Sequence, residues 1–197
     1  MFLLLGTYGS VGDHAVQCRY GRGVSATYRH NVIRDVLFRM ARGLGLDVQR
    51  EPHFPVRVPG FEGRRPDLLF KDWEQGRDLF VDVVGSSPLA ASNLGGFVPG
   101  GAASRAVLRK ESSYRDILVV QPPSVAFTSF AFESLGGLHP DACAFLSRLQ
   151  ASVNMAAVNH DDMVGYSVLR RVSFAIAKAV GRQLSTRLPW WGGFTPA

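Results

Sequence analysis

The chain has 197 residues, enough for one domain with a buried core, or one domain and an appendage. Apolar residues make up 46% and charged residues 19%, which excludes wholesale disorder, and no apolar run approaches the ~18 residues of a membrane span. The formal charge is +6, and 19 of the 22 basic residues are arginine, so a polyanionic partner competes with a GC-rich coding sequence as the cause.

Residues 1–27 read as an irregular lead-in, broken by Gly6, Gly9, Gly12, Gly21 and Gly23. The opening apolar stretch lacks the basic start and the length of a signal peptide. Ile33, Leu37, Met40 and Leu44 recur at helical spacing, and Gly43 and Gly45 end that helix. The period then changes to two. Residues 47–54 predict a strand, 65–70 a second with Pro66 at its start, 72–76 a turn, and 78–84 a third strand. Residues 85–104, rich in Gly, Ala and Ser, predict a mobile loop. A polar helix is expected over 105–115, a buried strand over 117–120 and an extended piece over 125–132. Pro140 suits the first turn of a helix that runs to 158. Asp161 or Asp162 can cap a last helix reaching Leu184, and 189–193 close the chain as a tail. The order predicts an α/β fold with a mixed sheet flanked by helices, and the C-terminal helices of 151–197 as an addition to a core over 28–150.

Cys18 and Cys143 are too few for a disulfide framework or an all-cysteine zinc site, and a reducing compartment is expected. Asp67 and Asp82 are the most informative acids. Fourteen residues and a short turn separate them, so their strands should be antiparallel neighbours. Asp82 alternates with Phe80 and Val84, and an acid in apolar company is costly unless paired or metal-bound. Two carboxylates on adjacent strands suit Mg²⁺, or Mn²⁺, which takes one or two carboxylates plus water and phosphate oxygens. The competing assignment has Asp67 capping a turn and Asp82 paired with an arginine. Lys110 is one of three lysines and falls on the helix after the Asp82 strand. There it can neutralise charge on a phosphate or orient water, or simply face solvent.

This order of parts resembles the PD-(D/E)xK restriction-like nuclease core. More narrowly, it is similar to the C-terminal restriction-like endonuclease domain of non-long-terminal-repeat retrotransposons. The residues that carry the resemblance are Arg65-Pro66-Asp67 and Asp82, Gly12-Asp13-His14 with Cys18, Arg29-His30-Asn31, and Phe132-Glu133-Ser134-Leu135-Gly136-Gly137. They span roughly residues 10–150. The resemblance implies a metal-dependent DNA endonuclease with catalytic Asp67, Asp82 and Lys110, the two aspartates holding Mg²⁺ or Mn²⁺. It implies a reverse transcriptase domain as partner in an intact element, and a nuclear, otherwise cytoplasmic, location. Val84 stands where the family's lysine usually follows the second acid, and Lys110 is the displaced replacement. His14 and Cys18 make half a zinc knuckle and no complete structural zinc site. These departures fit a truncated or decayed element, or a gene fragment.

His30, Asp35 and Glu51 are accessory candidates, against helix capping for His30, a surface carboxylate for Asp35 and a cross-strand ion pair for Glu51. Glu133 has the same two sides. Arg29, Arg65 and Arg109 are expected to contact DNA. Trp190 and Trp191 stack on bases or pack as a tail, and Arg170-Arg171 reads as a solvated face. No Gly-x-Ser-x-Gly, P-loop or Gly-x-Gly-x-x-Gly pattern occurs. Three readings compete: a nuclease, a binding relic unable to cut, and an α/β interaction domain.

Overall fold

A computed structural model describes residues 26–90, 98–157 and 167–185. In chain order the elements are α1 (Ala26–Gly43), β1 (Val48–Arg50), β2 (Leu68–Glu74), β3 (Arg77–Ser86), α2 (Gly101–Leu118), β4 (Val125–Glu133), α3 (Pro140–Ala157) and α4 (Val168–Ser185). The four strands form one mixed sheet in the order β1-β2-β3-β4. β1 and β3 pair antiparallel with β2, and β4 runs parallel to β3, as the intervening helix α2 allows. The α/β fold with a mixed sheet between helices is therefore the observed one.

Alternation divides the sheet into two apolar faces. Leu68, Phe70, Val81, Val83, Phe130 and Phe132 share the main cluster with Ile33 and Leu37 of α1, Leu149 of α3, and Val172 and Ile176 of α4. Leu69 and Phe80, on the other face, pack with Phe54 and with Tyr114 and Ile117 of α2. Val84 and Ala131 meet Ala103 and Val107 of the same helix. α4 thus contributes directly to the main cluster, and residue 150 lies within α3.

α1 ends as the sequence predicts. Gly45 has φ 75°, its N–H donates to Arg42 O, and Leu46 N–H donates to Ala41 O, the paired bonds of a Schellman motif. The β2–β3 hairpin turns on Gln75 and Gly76, with φ 51° and 75°, as a tight turn with two left-handed residues requires. β2 therefore runs on to Glu74 through an irregular step after Phe70, where a turn was expected from residue 72. The expected strand over 47–54 stops at Arg50: Glu51 still donates its N–H to Asp67 O at 2.9 Å, but its φ of 47° ends the extended backbone.

The expected strand over 117–120 is incorrect. Ile117 is a buried position of α2, and Val119 and Val120, 78% and 47% exposed, follow its last turn. A short apolar run does not distinguish a strand from a helix end. α2 also begins at Gly101, within the segment expected to be loop, and β3 reaches Ser86. α4 opens at Val168, where Ser167 Oγ accepts the Arg170 N–H at 3.3 Å as an N-cap. Asp161, Asp162, the tail over 189–193, the His14 and Cys18 half-knuckle, and residues 91–97 of the expected loop lie outside the described residues.

Candidate functional site

Asp67 stands one residue before β2, one register step beyond the Leu68–Val81 pair and across from Asp82. Pro66 has no N–H to offer the ladder. Asp67 takes over its end: its N–H donates to Val81 O at 3.0 Å, and its Oδ2 accepts the Val83 N–H at 2.7 Å. Its Oδ1 meets His30 Nε2, from the second turn of α1, at 2.8 Å. Burial lowers the His30 pKa, but the Asp67 carboxylate outweighs it, and Asp82 adds to the effect; the net shift is upward. A protonated His30 paired with Asp67 is the state these charges favour.

Asp82, 2% exposed, projects from the middle of β3 toward α2. The Tyr114 hydroxyl lies 3.0 Å from its Oδ1 and 3.0 Å from the carbonyl oxygen of Arg65. One hydroxyl proton faces two acceptors there. Lys110 Nζ lies 2.7 Å from Oδ2. This contact favours the Asp82 anion by charge and by hydrogen bonding. Ser129 is the neighbour of Asp82 in the β3–β4 register, and its buried Oγ has no hydrogen-bond partner. Burial raises the Asp82 pKa above the usual carboxylate range; Lys110 and Tyr114 oppose that shift, while Asp67 adds to it. Burial and the Asp82 charge push the Tyr114 hydroxyl far up, so it stays protonated and acts as a donor.

α2 carries Lys110 inward because of its place in the helical stripe. Ala103, Val107, Tyr114 and Ile117 face the sheet, and Lys110 fills the slot between Val107 and Tyr114. Glu133, at the end of β4, sets the other end of α2. Its Oε1 accepts the N–H groups of Ala102 and Ala103 at 3.1 and 3.2 Å, where the helix presents free donors and positive potential.

The fold therefore brings Asp67, Asp82, Lys110 and His30 together. Asp35 and Glu51 do not join them: Asp35 pairs with Arg34 and Arg50, and Glu51 with Arg34 on the exposed side. Arg29, expected on DNA, is 3% exposed and donates to Gln183 Oε1 at 2.8 Å, so it is a core residue. Arg65 and Arg109 are exposed and flank Asp67 and Lys110 in sequence. Tyr114 and Ser129 were not singled out in the sequence. The signal for Tyr114 was its position one turn after Lys110 on the inward stripe; Ser129 had none without the strand register.

The residues present suit a hard divalent cation in one respect. The buried Ser129 hydroxyl, next to Asp82 in the register, lacks a hydrogen-bond partner, and an oxygen-preferring ion or its water would satisfy it. Among the described residues, no three His, Cys, Asp or Glu side chains converge as a metal-ligand group. No helix among the described residues is long and apolar enough to cross a membrane. Neither the protein-family models nor the curated proteins give a match to this chain.

Proposed function

We propose that the chain is a metal-dependent DNA endonuclease domain of retrotransposon origin, with Asp67 and Asp82 holding Mg²⁺ or Mn²⁺. The observation that carries this reading is the buried Asp82 carboxylate on β3, across from a second buried carboxylate, Asp67, with Lys110 Nζ at 2.7 Å from it. When bound, the ion supplies positive charge for a phosphate oxygen and for the leaving 3′ oxygen. Lys110, half-exposed at the rim, donates to a phosphoryl oxygen as charge develops there in the transition state. Tyr114 holds the orientation of Asp82, and His30 that of Asp67. Arg65 and Arg109 supply phosphate contacts from the flanks. In an intact element the nick would provide the primer end for a partner reverse transcriptase in the nucleus.

One observation favours the relic reading. Lys110 already neutralises Asp82, and both Asp67 oxygens have protein partners, so the site is complete as an ion-pair network. Nicking of supercoiled plasmid by the full chain separates the two. The nuclease reading expects open circles with Mg²⁺ or Mn²⁺ and none with a chelator. Lys110→Ala should slow nicking by about 10²-fold, the typical loss for one preorganised donor, and Asp82→Asn should abolish it. DNA binding without metal-dependent nicking would establish the relic, and no DNA binding would leave the interaction domain.

A further inference from the structure

The positive charge of the chain is concentrated at one end. Residues 163–197 contain five basic residues and no acid, so they hold +5 of the total +6. Four of the five lie on α4. That helix spends its apolar face on the core, through Val172, Ala175, Ile176 and Ala179. Its outer ridge is Arg170, Phe174, Lys178 and Arg182, one residue per turn at a strict spacing of four, all exposed. Phe174 is 70% exposed in the middle of these cations.

The ridge borders an open groove of about 840 Å³ between α4 and α1. From α1 come Arg39 and Tyr28. The Arg182 guanidinium sits 5.3 Å from the Tyr28 ring centroid and donates to its hydroxyl at 3.3 Å. Among the described residues, no acid lines the groove. His30 is two residues from Tyr28, roughly 200° around α1, so the groove opens on a different side of that helix from Asp67.

We propose that this groove binds single-stranded nucleic acid, with its cations on the phosphates and Phe174 under an unpaired base. Cations along a track, interrupted by an aromatic face, are the chemistry that holds a single strand with little regard to sequence. A duplex satisfies the cations but offers Phe174 no base face. A lipid surface needs a broad apolar helix face, and that of α4 is buried in the main cluster against α1 and α3. The inference does not depend on the nuclease reading, and its test contains no metal.

The test is fluorescence anisotropy of the full chain, in chelator, with a labelled oligothymidine of about twenty nucleotides, longer than one ordinary binding site. Oligouridine, a duplex of equal length and anionic vesicles are the comparison arms. Five cations, Arg39, Arg170, Arg171, Lys178 and Arg182, line the groove and predict a slope of log affinity against log salt of about −3.5. Replacing Arg170 and Lys178 together by Gln should reduce that slope by about 1.4. Phe174→Ala should weaken binding of either single strand about tenfold, with Phe174→Tyr restoring it and the duplex little affected. All these side chains are exposed, and a circular-dichroism melt checks that each variant keeps its fold. Single-strand affinity unchanged by the double substitution overturns the proposal. So does equal loss on duplex and single strand with Phe174→Ala, or binding to vesicles alone.

Discussion

Asp82 is pulled in opposite electrical directions by its surroundings. Removal from water favours its neutral form, Lys110 and Tyr114 favour the anion, and Asp67 favours the neutral form again. His30 answers the Asp67 charge and carries a raised pKa. A group bound more tightly by its proton in the folded state adds stability that is complete below its unfolded pKa, about 6.5 for histidine, and lost as pH rises through the higher folded value. Urea midpoints of the wild type should therefore fall with rising pH across that window, and His30→Gln should remove that part of the slope. A wild-type midpoint that rises there, with His30→Gln unchanged, would reject the ion pair with Asp67. The pairing of the acids was legible because a short hairpin makes Asp67 and Asp82 neighbours whatever else the fold does. The fate of Arg29 was not. Its burial depends on Gln183, a residue 154 positions away on another helix, and no local pattern reports such a contact.

At the scale of elements, α2 shows where reading by local pattern stops. Its start is set by Glu133, which reaches the helix from the end of a parallel strand, so the Gly and Ala residues around 100–103 resembled loop. Its end reads as a strand by local pattern because Ile117 through Val120 is uniformly apolar, while the stripe through Tyr114 and Ile117 is helical. β3 is legible as a strand over 78–84 and β4 as an extended piece over 125–132, and their parallel register explains one glycine. A Cβ on Gly85 would lie 2.8 Å from Phe132 Cζ, in a ring that is fully buried. Gly85→Ala should destabilise the fold by about 1–3 kcal/mol, the usual cost of overpacking a core. Gly43→Ala, at the end of α1 with nothing within 4 Å of the added carbon, should instead leave stability equal or higher by up to ~1 kcal/mol. Chemical denaturation of the two variants measures the difference, and equal midpoints would mean that Phe132 has room to move.

At the scale of the whole molecule, the two faces of the sheet do different work. One packs on α1 and α3, which α4 joins from behind to complete the main core; the other receives α2 and carries Asp82 among apolar side chains. An ion bound between Asp67 and Asp82 would bridge neighbouring strands of that sheet and bind the folded chain alone. By mass action such an ion stabilises the folded state. With a dissociation constant on the order of 1 mM, addition of about 10 mM Mg²⁺ should contribute about 1.4 kcal/mol. For a chain of this size that raises the melting temperature by about 3–6 °C. The sign is informative, because two opposing effects act at the site. The ion relieves the cost of a buried anion, but it also lies near the Lys110 ammonium, which must swing toward solvent or toward a phosphate. Asp82→Asn keeps the shape, removes the charge and should eliminate the Mg²⁺ increment, while its own midpoint stays within about 1 kcal/mol of the wild type because a costly buried charge has gone with the ion pair. Lys110→Met should enlarge the increment, since the competing cation is absent. Scanning calorimetry of the three proteins, with Mg²⁺ and with chelator, reads these changes without any substrate. An increment that survives in Asp82→Asn would place the ion elsewhere and remove the ground for a metal at this pair of aspartates.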